Sequence, residues 1–164
     1  MNAGMQHEQA SPSAARKHVD VAIALVFDVH GQLLICKRKP DAVLGGLWEF
    51  PGGKCDRGET PEQCALREVL EETSLAVAIV RPLPLIEHEY PHAHVRLHPF
   101  ICRHLRGEVQ LLQVADARWV EPGVLGAYQF PAANERLILE ASKGLHALMQ
   151  LPSPNAPAPT NTAR

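Results

Sequence analysis

Three carboxylates, Glu68, Glu71 and Glu72, fall within five consecutive residues, directly after Arg67, and the glycine pair Gly52-Gly53 precedes them. Glu59 follows Gly53 by six positions, and seven residues separate Glu59 from Arg67. On a helix, Glu68 stands at i,i+4 to Glu72 and at i,i+3 to Glu71, so the three repel one another instead of pairing with opposite charge. They also crowd the C-terminal half of the helix, where the dipole disfavours anions. Together these effects cost about 1 kcal/mol without a counter-ion. Such a concentration of oxygen donors suits a hard divalent cation. A glutamate run by itself is as well explained as a solvated helix face. Its conjunction with Gly52-Gly53, Glu59 and Arg67 at fixed offsets separates the two explanations.

The positioning elements can be read outward from this stretch. Pro51-Gly52-Gly53 suggests a turn whose bare backbone lets a phosphate or metal approach. Thr60-Pro61-Glu62-Gln63 signals a helix start, with Thr60 as N-cap, Pro61 in the first turn and Gln63 completing a capping box. At about 100° per residue, Ala65, Leu66, Val69, Leu70 and Thr73 gather on the expected buried side. Glu68, Glu71 and Glu72 gather on the other, with Cys64 nearer the carboxylates. Before the glycines, residues 19–27 read as a nearly continuous apolar strand, 28–31 as a turn, 32–36 as its hairpin partner and 47–50 as a short strand. After the helix, residues 76–80, 85–90, 95–104, 108–112 and 117–120 read as strands. Pro122 to Gly126 reads as a linker, and residues 134–150 as an amphipathic helix built on Leu137, Ile138, Ala141, Leu145 and Leu148. No internal repeat is evident.

The spacing from Gly53 to Leu75 resembles the signature of the Nudix hydrolases: G, five residues, E, seven residues, R-E-U-x-E-E-x-G-U, with U aliphatic. Gly53, Glu59, Arg67, Glu68, Val69, Glu71, Glu72 and Leu75 match it; Ser74 stands where the family has glycine. Residues 33–38, 48–54, 58–63 and 130–134 are further similar to the MutT-type branch, the 8-oxo-dGTP diphosphatases, across about residues 18 to 148. The resemblance implies an α/β (α+β) fold, a mixed β-sheet sandwiched between helices. It implies that the carbonyl of Gly52 and the carboxylates of Glu68, Glu71 and Glu72 hold Mg2+, or Mn2+ in its place. Arg67 and Glu59 then join the catalytic group as an ion pair bracing the loop against the helix. Arg38, Phe50, Lys54 and Asn134 become the substrate contacts, Asn134 at the base edge, Lys54 on the phosphates and Phe50 packed near the base, although a core aromatic explains Phe50 as well.

Two departures are specific to this chain. Gln113 occupies a place where many relatives have a glutamate that helps bind metal or activate water, and an amide cannot serve as a base. Ala93 stands where the MutT protein carries an arginine, which weakens the case for strict 8-oxoguanine preference. The reaction implied is hydrolysis of a nucleoside triphosphate to monophosphate and pyrophosphate, with 8-oxo-dGTP as preferred substrate. A nucleotide sugar, a pyrimidine triphosphate, or a binding module without turnover remain alternatives.

Composition bounds these readings. With 164 residues and 46% hydrophobic content, the chain suits one core, with tails at residues 1–17 and 151–164 and a domain at 18–150. A formal charge of −2 gives no general attraction to nucleic acid, so a free nucleotide is the expected partner of a monomer or homodimer. No apolar run approaches a membrane span, and the expected location is the cytoplasm. Cys36, Cys55, Cys64 and Cys102 lack paired spacing, and Cys36 and Cys102 read as buried thiols. His92, His94, Arg96 and His98 alternate along one strand face, which fits either a zinc site or a polar strand face beside a phosphate pocket.

Overall fold

The computed structural model describes residues 17–90 and 93–141. Among the described residues, eight strands and one long helix follow in the order β1 (Lys17–Phe27), β2 (Leu33–Lys37), β3 (Trp48–Glu49), β4 (Gly52–Lys54), α1 (Pro61–Thr73), β5 (Ala76–Pro82), β6 (Ile86–Tyr90), β7 (Ala93–Arg106) and β8 (Asp116–Val120). Lys17 therefore opens the first strand and is not part of a tail. β1 and β2 form the expected hairpin, whose turn is held by Asp28: its Oδ1 accepts from the His30 and Gln32 amides at 2.9 and 2.8 Å.

β1 and β7 run parallel along the whole length of β1, and every other pairing is antiparallel, giving one mixed sheet. A parallel pair cannot be joined by a tight turn. The connection from β1 to β7 accordingly contains the glycine strand and α1. Alternation along β1 splits the core in two. Ala22, Ala24 and Val26 face Cys64, Ala65 and Val69 of α1, whereas Leu25 and Phe27 face Phe50, Leu125, Leu137 and Ala141 on the opposite side. The second side is covered by short 3-10 helices at Pro122–Ala127 and Ala132–Asn134 and by helical residues 135–141. The expected linker at 122–126 is thus a packed turn with Leu125 fully buried. The rest of the expected closing helix, with Leu145 and Leu148, and His92 lie outside the described residues.

Three local expectations need correction. Gly52 and Gly53 form a strand, paired through Ile23↔Gly52 and Ala22↔Gly53, where a turn was expected. The reason is close approach: a Cβ on Gly52 would lie 2.2 Å from the Ala22 carbonyl oxygen, and one on Gly53 would lie 2.4 Å from the Glu68 carboxyl carbon. Residues 108–112 are not a strand. They run past the end of α1, where the amides of Gln110 and Leu112 donate to the carbonyls of Thr73 and Glu72 at 2.9 and 3.2 Å. Those carbonyls lack intrahelical partners, and the segment supplies their donors. Finally, α1 is rotated from its expected orientation. Cys64, Ala65, Val69, Glu72 and Thr73 are buried, whereas Leu66 and Leu70 are 39% and 53% exposed. Glu72 turns inward, where its carboxylate accepts from the Gly52 amide.

Candidate active site

α1 begins by rule. The Thr60 hydroxyl accepts from the Gln63 amide at 3.2 Å, and the Gln63 side chain accepts from the Thr60 amide at 3.0 Å. Ser74 ends it at φ 62°, in the left-handed region that favours glycine. A serine in this conformation carries backbone strain that a glycine would not.

Arg67 organises the surface of the site. Its Nε and Nη2 donate to the two oxygens of Glu59 at 2.7 and 2.9 Å, a bidentate pair, and Nη2 also reaches the Lys54 carbonyl at 3.2 Å. These bonds hold the Glu59 carboxyl down at about 2 and raise Arg67 above its ordinary value. The expected brace between loop and helix is thus present. Arg67 Nη1 in addition donates to Glu68 at 2.8 Å and Glu71 at 3.2 Å. Glu68 lies against Gly53; Glu71 sits at the exposed rim.

Glu72 differs from both. It is 9% exposed, and its Oε2 accepts only a long 3.3 Å bond from the Gly52 amide. Burial, with Glu49 and Glu68 close by, pushes its carboxyl up to about 8. Glu49 is itself raised by burial, although its ion pair with Arg38 pulls the other way. A cleft of about 310 Å³ joins Arg38, Glu49 and Glu72 to Gln113. Gln113 thus reaches the carboxylate cluster, and Glu49 joins it as a residue that sequence reasoning passed over. Its signal was its place between Trp48 and Phe50, three residues before Gly52.

Among the described residues, no group of three or more His, Cys, Asp or Glu side chains is drawn into a finished metal cage. Glu68 and Glu71 rest on Arg67, and Glu72 points inward, where the charge of Arg38 only partly offsets its burial. The donor set nevertheless fits a hard cation. It is all oxygen, it carries a buried carboxyl held above its usual range by neighbouring negative charge, and it lies on the glycine backbone.

On the other face of the sheet lies a cavity of about 800 Å³, which Arg38, Phe50, Lys54 and Asn134 all line, together with Gly52 and Gly53. Its floor is apolar, formed by Val21, Ile23, Ile86, Val95 and Leu97. Phe50 is 3% exposed and stacks on Phe130 at 5.3 Å, so it is both a core aromatic and a cavity wall. Arg38 Nε is buried without a hydrogen-bond partner among the described residues, a donor left for an incoming acceptor.

The histidine strand face turns away from this cavity. His94, Arg96 and His98 share the α1 side of the sheet, where Asp20 accepts from Arg96 and pairs with His98, each at 2.6 Å, and His94 lies 3.6 Å from Glu87. The two hydrogen bonds from Arg96 and His98 hold Asp20 below its usual range, against its burial. The polar strand face therefore forms its own ion-pair network and does not line a phosphate pocket. Cys64 is a buried filler whose thiol donates to the Gly53 carbonyl at 3.4 Å; burial pushes it up to about 12.

The mixed sheet thus sets a glycine strand against a carboxylate-bearing helix, with a largely apolar cavity across the same strand. A family model described as a NUDIX domain matches residues 22–140. The chain is 30% identical to an 8-oxo-dGTP diphosphatase of Escherichia coli (strain K12) over 127 residues, covering 77% of this chain and 98% of that protein. It is 27% identical to a CTP pyrophosphohydrolase of the same strain, covering 76% and 92%. The crystal structure of a MutT protein from Methanosarcina mazei Go1 shares the fold at a TM-score of 0.69 and 22% identity, covering 80% of this chain and 97% of that one. The chain belongs to the Nudix family, whose hydrolases generally depend on a divalent metal.

Proposed function

We propose that this protein hydrolyses nucleoside triphosphates to monophosphate and pyrophosphate, with 8-oxo-dGTP as its preferred substrate, and so cleanses the free nucleotide pool of the cytoplasm. The observation that carries this reading is the shared strand: Gly52 and Gly53 touch Glu72 and Glu68 on the helix side and line the apolar cavity on the other. A base in that cavity places its phosphates along the same glycines. Glu68, Glu71, Glu72 and the Gly52 carbonyl are the residues to hold Mg2+ or Mn2+. The ion, when bound, neutralises phosphate charge and acidifies a water. Lys54 meets the phosphate chain as a point charge, Arg38 offers its unused Nε–H, and Asn134 reads the base edge. Arg67 and Glu59 act through the helix, fixing where Glu68 and Glu71 stand.

The similarity to a CTP pyrophosphohydrolase, together with Ala93 in place of an arginine, favours a second reading in which a pyrimidine triphosphate is the better substrate. Pyrophosphate release with Mg2+ from 8-oxo-dGTP, dGTP, CTP and dCTP tests both. A large kcat/KM advantage for 8-oxo-dGTP supports the first reading, an advantage for the pyrimidines the second, and silence across all four contradicts both.

A further inference from the structure

The loop that joins β2 to β3 reaches both halves of the site. Lys39, Asp41 and Ala42 line the cleft that holds Glu49, Glu72 and Gln113, and Leu44, two residues further along, lines the larger cavity with Phe50, Lys54 and Asn134. The loop is folded on itself and closed at its base. The Arg38 amide donates to the Leu47 carbonyl at 2.9 Å, the Gly46 amide donates to the Arg38 carbonyl at 3.1 Å, and the Gly45 amide closes a turn onto the Ala42 carbonyl at 2.9 Å. Gly45 permits the fold-back, since a Cβ there would lie 2.3 Å from the Pro40 carbonyl oxygen. A hydrogen-bonded backbone therefore carries Leu44 to the cavity.

Leu44 stands there on unfavourable terms. Among the described residues, Leu44 and Ser74 are the two non-glycine residues with positive φ, 58° for Leu44. It is the third residue of the Ala42–Gly45 turn, where a positive φ suits glycine or asparagine, and a leucine adopts it at a cost in backbone energy. Its side chain is also 54% exposed. An exposed leucine is common by itself, and a strained residue can simply serve a turn. Here both features coincide on a residue that lines the cavity, and local preferences broken together point to function. The aliphatic floor, with Val21 and Ile23 from β1, Val95 and Leu97 from β7 and Ile86 from β6, belongs to the sheet. A base resting on that floor has its second face toward a wall from outside the sheet, and burying the leucine against it removes apolar surface from water.

We propose that Leu44 is a nucleobase contact, packing on a base that rests on the aliphatic floor and holding it by apolar burial without reading its edge. The assignment rests on the cavity being the nucleotide site, and it deepens that reading by separating retention of the base from its recognition. A side chain on the face of a base holds purines and pyrimidines alike, whereas an amide at the edge, as from Asn134, distinguishes them.

The test uses nucleoside monophosphates as probes, so binding is read without turnover or metal. Dissociation constants of 8-oxo-dGMP, dGMP and CMP are measured by calorimetry for the parent, Leu44→Asn and Leu44→Met, with the melting temperature of each. Asparagine suits the positive φ and removes the apolar contact; methionine keeps an apolar chain of similar volume. Leu44→Asn should bind every monophosphate that the parent binds about tenfold more weakly, by a similar factor for each, while melting at or above the parent. Leu44→Met should bind within about twofold of the parent. Binding unchanged in Leu44→Asn, a loss confined to one base, a loss accompanied by a lower melting temperature, or a Leu44→Met as weak as Leu44→Asn overturns the proposal, as does a parent that binds none of the three. Pyrophosphate release by the parent tests the hydrolase reading separately. A parent that holds monophosphates through Leu44 yet releases none overturns that reading and leaves the base contact standing.

Discussion

The two ends of α1 are built on opposite terms. At its start, every local preference agrees: Thr60 and Gln63 exchange the two bonds of a capping box, and Pro61 occupies a position where its missing amide is no loss. At its end, preferences conflict: the last turn has no basic residue, Glu71 and Glu72 oppose the dipole, Glu72 is nearly buried, and Ser74 adopts a left-handed backbone. Local rules that fail together in one place mark a functional or strained site. The first turn holds the helix in place; the last turns carry charges and a backbone conformation that cost stability, offset in part by the Arg67 bonds to Glu68 and Glu71.

The comparison can be broken most severely at Glu68, the carboxylate against Gly53. Glu68→Gln keeps the shape and removes the charge, and pyrophosphate release should fall on the order of a thousandfold with the melting temperature hardly changed. Glu59→Gln removes the partner that takes two of the Arg67 bonds; turnover should drop about 10- to 100-fold, with weaker metal binding measured by Mn2+ titration. At the orderly end, Thr60→Ala should cost about 1 kcal/mol in chemical denaturation and leave kcat within a factor of two of the parent, about the scatter expected of a neutral change. Smallest of all, Ser74→Gly should stabilise by about 0.5 kcal/mol, because glycine accepts the positive φ while adding entropy to the unfolded chain.

What the sequence disclosed followed the range of the interactions. The capping box and the Arg67–Glu59 ion pair are encoded within about fifteen positions and stand where the residues indicate. The residues expected to meet substrate, Arg38, Phe50, Lys54 and Asn134, do share one cavity. The orientation of α1 was not legible, since periodicity counts Leu66 and Leu70 as core and cannot see that Glu72 turns inward to the Gly52 amide. Gly52-Gly53 read as a turn because glycine breaks strands on average, whereas here the β1 backbone closes on Gly52 and the Glu68 carboxyl on Gly53. Residues 108–112 look like a strand by alternation, but their amides are needed at the end of a helix more than thirty residues earlier in the chain. Glu49 gains its place only when β3 brings it beside Glu72 and Gln113.

Glu72 bears the central claim that the end of α1 trades stability for chemistry. Its carboxyl is raised to about 8 in the fold and is ordinary when unfolded, so the native state binds the extra proton between those values. Metal-free stability should therefore decline as pH rises from about 5 to 8, by on the order of 3 kcal/mol from this group. Measuring the metal-free melting temperature of the parent and Glu72→Gln at both pH values, with pyrophosphate release alongside, puts the claim to one direct test. The account predicts a variant that is inactive, melts higher than the parent at pH 8, and has lost most of the decline with pH. A variant that keeps its activity, or that melts lower than the parent at pH 8, would contradict it.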